Sequence, residues 1–188
     1  SRDYRTTKSL MYQEPEAWFL LMEKLATVTS SYLRAQAQAG AQCVQIFDSW
    51  AGALSPRDYR TYVLPATQRI VADVQTEGVP VILFGTNTAG MLDVMAEAGS
   101  DVVGADWRIP LDRAWETIGH DRAIQGNLDP VALYAPHNVV QQHVDQILDL
   151  AAGRPGHIFN LGHGILPTTP VERVREVVEM VHARGSGG

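Results

Sequence analysis

The sequence is poor in cysteine, in positive charge and in long apolar runs, and each shortage excludes a class of protein. Cys43 is the only cysteine, so the chain can form no internal disulfide and no zinc site that needs several thiolates. The formal net charge of −6 argues against a general nucleic-acid surface. The sequence shows neither a signal segment nor an apolar run of membrane-spanning length. We therefore expect a cytoplasmic protein that binds neither nucleic acid nor membrane.

Three common catalytic signatures are missing as well. The chain has no G-x-G-x-x-G motif, which the Rossmann dinucleotide fold carries after its first strand. No two histidines stand four residues apart, as a helical zinc site requires. The surroundings of Ser49 lack the G-x-S-x-G elbow of a serine nucleophile. Five histidines lie outside the glycine-flanked segment 160–164 and are expected to face solvent: His120, His137, His143, His157 and His182.

Five short apolar runs alternate with helical patterns along the chain. The runs predict strands over 43–47, 79–84, 101–106, 122–127 and 157–161. The periodicity predicts helices over 15–38, 56–78 with a break at Pro65, 88–98, 110–118, 139–150 and 171–183. Unalternating apolar strands between helices indicate a parallel sheet that is covered on both faces. The fold class is therefore α/β, either a doubly wound sheet or part of a (β/α)8 barrel.

The length bears on the second of these architectures. A complete TIM barrel typically needs roughly 250 residues, and this chain has 188. If the barrel interpretation is correct, the chain forms an incomplete (β/α)8 TIM barrel with about five strand–helix units.

The first helical pattern, over residues 15–38, carries one apolar stripe. Residues at this spacing fall on one side of a helix. We expect that side to face the core and its members to point inward: Trp18, Leu21, Met22, Leu25, Val28 and Tyr32.

Polar residues follow each apolar run, at the end where parallel α/β folds carry their active sites. Ser49 follows the first run, and its hydroxyl is expected either to donate to a bound anion or to cap its own loop. Asp48 and Asp106 are candidate general acids or charge partners. The competing interpretation for both is a helix N-cap or a salt bridge to an arginine at the rim. Asn127 is expected to brace its own loop, because asparagine readily bonds nearby backbone.

The segment Asn160-Leu161-Gly162-His163-Gly164 is the most distinctive of these strand ends. Glycine on each side of His163 removes the Cβ bulk that would keep a substrate or a second backbone away from the imidazole. Taken alone, the pattern fits both an active-site loop and a plain turn whose middle residue faces water. Its position after the last predicted strand, in line with the other polar strand ends, favours the active-site interpretation.

Four of these motifs together resemble the uroporphyrinogen decarboxylase family. In chain order they lie at residues 47–52 (FDSWAG), 104–107 (GADW), 125–130 (QGNLDP) and 160–164 (NLGHG). The resemblance implies a (β/α)8 barrel that works as a homodimer in the cytoplasm, without metal or organic cofactor. It also implies removal of four carboxyl groups from the acetate arms of uroporphyrinogen III, which gives coproporphyrinogen III on the way to haem.

The same resemblance implies that Ser49 and His163 contact the substrate. The chemistry agrees, because a substrate with eight carboxylates needs hydroxyl and imidazole donors to orient it. No catalytic acid and no metal ligand is assigned to this chain. The neighbouring strand ends would complete the substrate pocket through Phe47, Asp106, Asn127, Gly162 and Gly164.

Part of the family pattern has no counterpart in this sequence. The family's Arg-Gln-Ala-Gly-Arg segment, its aspartate that contacts the pyrrole nitrogens and its glycine-preceded tyrosine all precede the matching region. We therefore expect residues 1–188 to be the C-terminal part of a single TIM-barrel domain whose N-terminal part is absent. Such a chain is expected to be inactive alone, and to associate with itself or with the missing half through its open sheet edges.

Two other functions remain open. A zinc-dependent corrinoid or thiol methyltransferase of the same superfamily would need soft ligands, and Cys43 is the only thiolate available. A non-catalytic binding module derived from half a barrel would need no complete active site.

Overall fold

Five parallel strands form one sheet whose spatial order is the chain order. The computed structural model describes residues 3–185. The strands are β1 (Val44–Phe47), β2 (Val81–Phe84), β3 (Val102–Gly104), β4 (Ala123–Leu128) and β5 (His157–Leu161). Each strand pairs with the next one along the chain, so the order never reverses. A doubly wound sheet reverses its order at a switch point, whereas a barrel adds each strand beside the last. The fold is therefore part of a (β/α) barrel.

Helices connect the strands and precede the first one. They are α1 (Arg5–Gln13), α2 (Pro15–Gln38), α3 (Pro56–Tyr62), α4 (Leu64–Gln75), α5 (Leu92–Ala96), α6 (Leu111–Ile118), α7 (His137–Ala151) and α8 (Val171–Gly185). Short 3-10 helices cover Ala51–Ala53 and Pro130–Tyr134. The expected five strand–helix units of an incomplete barrel are confirmed. None of the described helices is both long enough and apolar enough to cross a membrane.

The predicted break in the second helical segment falls where proline requires it. Ser55 caps α3, because its side chain accepts a hydrogen bond from the Asp58 amide. The helix ends at Tyr62, and α4 begins with Pro65 in its first turn, where a missing N–H costs nothing. The Trp18 indole donates to the Tyr62 carbonyl at 2.8 Å, which ties α2 to this break.

The two faces of the sheet differ in what they contact. Leu83, Val103 and Ile124 are fully buried in the cluster formed with the helices. The alternate positions point to the barrel interior, where the Gln125 amide donates to the Gln45 side-chain oxygen at 3.4 Å. The interior face thus carries Gln45, Phe84 and Gln125 beside the aliphatic Ile82 and Val102, while the opposite face forms the main apolar core.

The predicted inward face of α2 is wrong in most of its members. The structure buries Trp18, Ala26, Ser30 and Leu33, leaves Met22 half-buried and exposes the other members of the stripe, Leu21, Leu25, Val28 and Tyr32. The buried side packs on α4 through small residues, and the Ser30 hydroxyl donates to Asp73 at 2.9 Å. Of the unburied members, Met22, Leu25 and Tyr32 line an open cavity of about 510 Å³ beside β1. Periodicity locates an apolar face, but it does not tell which part of the protein covers that face.

The helix α5 is also shorter than its pattern suggests. The pattern predicts a start at residue 88, but the Thr88 hydroxyl donates to the Gly85 carbonyl and the Met91 amide donates to Thr88. These bonds form a turn, so the regular helix begins only at Leu92.

We expect the 188-residue chain to associate with itself in solution. Among the described strands, β1 and β5 each have one unpaired edge, and the exposed apolar face of α2 lies beside β1. Replacing Leu25 and Val28 together by glutamate should reduce the associated fraction, because it places two charges on this face. Val131→Glu, at an equally exposed site on a 3-10 helix, is the control and should not change it. Light scattering that shows a monomer for the unmodified chain would contradict the expectation.

Candidate active site

The buried Asp106 carboxylate organises the loops at the carboxyl ends of the strands. Its side chain is only 1% exposed and follows β3. One oxygen accepts from the backbone amide of Asn87 at 2.5 Å and from the Arg108 guanidinium at 2.6 Å. The other accepts from the Arg108 amide at 3.0 Å. The interpretation of Asp106 as the partner of a rim arginine is therefore the one the structure supports, and its carboxylate faces protein groups rather than a cavity.

The bond to Asn87 holds the loop after β2 in an uncommon conformation. Asn87 adopts a positive φ of 58°, which asparagine tolerates better than most residues. Its side-chain amide donates to the Gly52 carbonyl at 3.4 Å, and the Thr86 hydroxyl donates to the Ser49 carbonyl. The loops after the first three strands are thus joined to one another.

The fourth and fifth strand ends pack against the same segment. The Asn127 side chain is buried and donates to the carbonyls of Asp106 at 2.9 Å and Ile109 at 2.7 Å. Asn127 therefore braces the neighbouring loop after β3, where its own loop was expected. Gly162 approaches this loop so closely that a Cβ atom on it would lie 2.6 Å from the Trp107 amide nitrogen. All five strand ends are linked through residues 106–109.

Sequence reasoning missed Arg108 as a site residue. Its guanidinium carbon lies 4.1 Å from the centre of the Trp107 ring, a cation–π contact. The side chain is 43% exposed although it is paired with a buried carboxylate. The available signal was the Asp-x-Arg spacing directly after a strand, because a side chain two residues on can return to the strand end. Trp107 supports this arginine, and Trp50 is exposed.

Ser49 lies at a cavity of about 350 Å³ between the first three strand ends. Its hydroxyl has no hydrogen-bond partner within the described part of the chain. The side chain is therefore available to a ligand. The cavity is lined by Tyr4, Ser49, Trp50, Gly52, Ala53, Thr86, Asn87 and Arg108.

His163 stands apart from that cavity, on the inner side of the strand ends. Its ring is exposed and lies 6.2 Å from the ring of Phe84, which in turn lies 6.2 Å from the ring of Phe47. The described residues around the Ser49 cavity do not include His163. A Cβ atom added to Gly164 would meet no other atom within 4 Å. Of the two glycines beside His163, only Gly162 is therefore sterically required.

Asp48 lines the cavity beside α2, and Ser49 lines the other cavity. Burial raises the pKa of this carboxyl to about 6. Burial also raises the pKa of Tyr59, and the nearby Asp48 charge raises it further. Although Asp48 precedes Ser49 directly in the sequence, its carboxyl therefore belongs to the region between β1 and the helices.

The remaining histidines are not all at the surface. His157 is half-buried, and its ring nitrogen lies 2.9 Å from the Gly126 carbonyl oxygen. Burial lowers the pKa of His157, so the neutral ring donates this hydrogen bond. The prediction that His157 faces solvent is therefore wrong. This residue begins β5, and Trp115 of α6 packs over its ring. The described residues contain no cluster of three or more histidine, cysteine or acidic side chains that could hold a metal ion.

Substituting the two glycines beside His163 should affect stability to different extents. Gly162→Ala places its methyl group against the Trp107 backbone, which cannot yield easily, so the free energy of unfolding should fall by about 1–3 kcal/mol. Gly164→Ala meets open space and serves as the matched control, with a change of at most about 1 kcal/mol. Denaturant unfolding of both variants measures the difference. Equal losses would show that the close approach at Gly162 is not a constraint.

Replacing Asp48 by asparagine should stabilise the fold at neutral pH. The carboxyl titrates near 6 when folded and near 3.8 when unfolded, so its ionisation costs stability as the pH rises from 4 to 6. The gain from Asp48→Asn should be small at pH 4 and reach at most about 3 kcal/mol above pH 6. Urea unfolding across this range measures it, with the exposed Asp93→Asn as control. A gain that does not grow with pH would contradict the burial of this group.

The comparisons with known proteins agree on one family. Residues 1–184 match the family described as Uroporphyrinogen decarboxylase (URO-D). The chain is 54% identical to a uroporphyrinogen decarboxylase of Sorangium cellulosum over 97% of its length, which is 52% of that protein. It is 55% identical to one of Carboxydothermus hydrogenoformans over 99% of its length and 53% of that protein. The chain thus spans about half the length of the curated relatives it matches.

A solved structure supports the fold independently. A methyltransferase from Methanosarcina mazei superposes with a TM-score of 0.76 over 85% of this chain and 47% of its own, at 22% identity. At this identity the likeness concerns the fold alone. Together with the motifs at the strand ends, the match over residues 1–184 establishes that the chain belongs to the uroporphyrinogen decarboxylase family.

Proposed function

We propose that residues 1–188 are the C-terminal part of a TIM-barrel enzyme that converts uroporphyrinogen III to coproporphyrinogen III. Membership of the family, at more than half identity to the curated relatives, is the observation that carries this proposal. The polar strand ends around Asp106 are consistent with it, because they form one rim at the end of the sheet where such enzymes react. The enzyme would act in the cytoplasm as a homodimer, with no metal or organic cofactor.

Each decarboxylation breaks the bond between an acetate CH2 carbon and its carboxyl group. The electron pair passes into the protonated pyrrole ring as CO2 leaves, and a proton then adds to the CH2 carbon to give a methyl group. The ring releases the proton it had gained, so that one proton is consumed for each CO2. The protein must hold the carboxylates in place and deliver protons. In this chain, Ser49 and His163 would bind substrate carboxylates through charge-assisted hydrogen bonds. Phe47 and Phe84 would together form an apolar surface that supports the macrocycle. Gly162 and Gly164 would leave room around the imidazole.

The catalytic proton donor would come from the preceding part of the barrel. No described residue is assigned to that role, and the five strands leave the sheet open beside β1. We propose that the missing strand–helix units pair with this edge and cover the exposed face of α2. No observation favours the zinc-dependent methyltransferase, because the structural likeness to a methyltransferase extends only to the fold.

The length of the protein in its source separates the enzyme from a half-barrel binding module. We expect an antibody against this chain to detect a protein about twice 20.6 kDa, and this protein should decarboxylate chemically reduced uroporphyrin III. The 188-residue chain alone should show no turnover. A native mass near 20.6 kDa with porphyrin binding and no turnover would favour the binding module. Steady turnover by the 188-residue chain would contradict the need for the other half.

In the native-length enzyme, Ser49→Ala and His163→Asn should each lower kcat/KM by about 10- to 100-fold. Each variant removes one hydrogen bond to a carboxylate, and such bonds contribute about 1.5–3 kcal/mol. Thr117→Ala, on the exposed surface of α6, and His120→Asn, at the opposite end of the sheet, are matched controls. Chromatography of the oxidised products measures the rates. Unchanged rates in both Ser49→Ala and His163→Asn would contradict the proposal that these residues bind the substrate.

A further inference from the structure

We propose that Arg108 binds a substrate carboxylate in the cavity beside Ser49, and that Asp106 is the positioning residue that aims it. This inference rests on the proposed function and adds a cation to the proposed pair of contacts. The cavity lies where the loops after β1, β2 and β3 meet. Arg108 is the only charged residue among the described residues that line it.

The arginine is fixed on two sides. Asp106 holds its backbone amide and one end of its guanidinium, and both bonds are shielded from water because the carboxylate is buried. The Trp107 ring covers one face of the guanidinium. A long side chain at a surface ordinarily loses rotamer freedom when it binds a ligand. Here that ordering is already present in the unliganded protein, so a ligand meets a preorganised cation.

The donors of the guanidinium that Asp106 leaves free suit a carboxylate ligand. Asp106 occupies Nη1, and no other bond of the guanidinium is made to a described residue. The edge formed by Nε and Nη2 is therefore available, and its two parallel donors match the two oxygens of a carboxylate. The side chain is 43% exposed, which leaves room for a ligand to approach.

The other polar groups of the cavity separate into occupied and available donors. The Thr86 hydroxyl and the Asn87 side-chain amide already hold neighbouring carbonyls. The hydroxyls of Ser49 and Tyr4 and the indole N–H of Trp50 have no hydrogen-bond partner among the described residues, so they are free donors, and Arg108 is the charged donor beside them. A hydroxyl donor beside a guanidinium fork selects a carboxylate over a neutral ligand. Because Asp106 offsets part of the positive charge, binding of one isolated carboxylate should be weak, and several arms on one macrocycle should strengthen it.

Kinetics and binding in the native-length enzyme test this role. Arg108→Met should raise the KM for uroporphyrinogen and the Kd for uroporphyrin by about 10- to 100-fold, with little change in kcat. Arg108→Lys keeps an ion pair to Asp106 but loses the fork, and should raise both by about 3- to 10-fold. Arg113→Met, at an exposed arginine of α6 paired with Glu116, is the matched control and should change neither. Thermal unfolding checks that each variant folds. If Arg108→Met does not fold, the KM and Kd of Arg108→Lys decide the question.

The outcomes separate this inference from the proposed function. If the enzyme is active and both Arg108 variants keep the parental KM and Kd, the inference is wrong and the proposed function stands. A fall in kcat at constant KM would show a purely structural role and would also overturn it. If the parent neither binds nor decarboxylates the tetrapyrrole, the proposed function fails, and free acetate then decides the site. In NMR spectra, the Arg108 side-chain N–H signal is identified as the one missing from Arg108→Lys. A shift of this signal by acetate would support a carboxylate site for small acids, and no shift would refute it.

Discussion

The rest of the candidate site depends on one buried carboxylate. Asp106 accepts three hydrogen bonds, from a backbone amide after β2 and from the amide and guanidinium of Arg108. A buried charge without partners costs several kcal/mol, so the loops that supply these donors are held where the carboxylate needs them. Asn127 and Gly162 then pack against the backbone of the same segment. The segment around Asp106 thereby connects the strand ends, directly for β2 to β5 and through residues 86 and 87 for β1.

This arrangement explains why an acidic residue stands at the rim of a site that would bind an acidic substrate. A carboxylate that faced the cavity would repel the substrate arms. Asp106 instead is buried against the loop backbone and Arg108, and Arg108 is the residue of this pair that lines the cavity. Asp48 follows a similar rule, because it points toward the helices and its pKa is raised by burial. The acidic residues nearest to the rim thus serve the scaffold, and hydroxyl, imidazole and guanidinium groups remain for binding.

Much of the fold follows from local patterns in the sequence. The run His157–Leu161 coincides with β5, and the other strands fall within two residues or so of the predicted ends. Ser55 and Pro65 set helix ends by capping and by the missing N–H, which are properties of the residues themselves. Strand order needed the structure, because a periodic pattern is equally compatible with a reversing sheet. The helix α1 also escaped the pattern, since its sequence is largely polar.

The sequence by itself determined the alternation of strands and helices and the concentration of polar residues at one end of the sheet. Both depend on residue type and spacing over a few positions, and both survive in the structure. Only the tertiary structure decided that α2 buries Ala26 and Ser30 and exposes Leu25 and Val28, that Gly162 and not Gly164 is sterically required, and that Asp106 pairs with Arg108. The physical reason is the same in each case. Burial and hydrogen bonding depend on which distant segment packs opposite, and Asp106 meets its backbone partner 19 residues away in the chain.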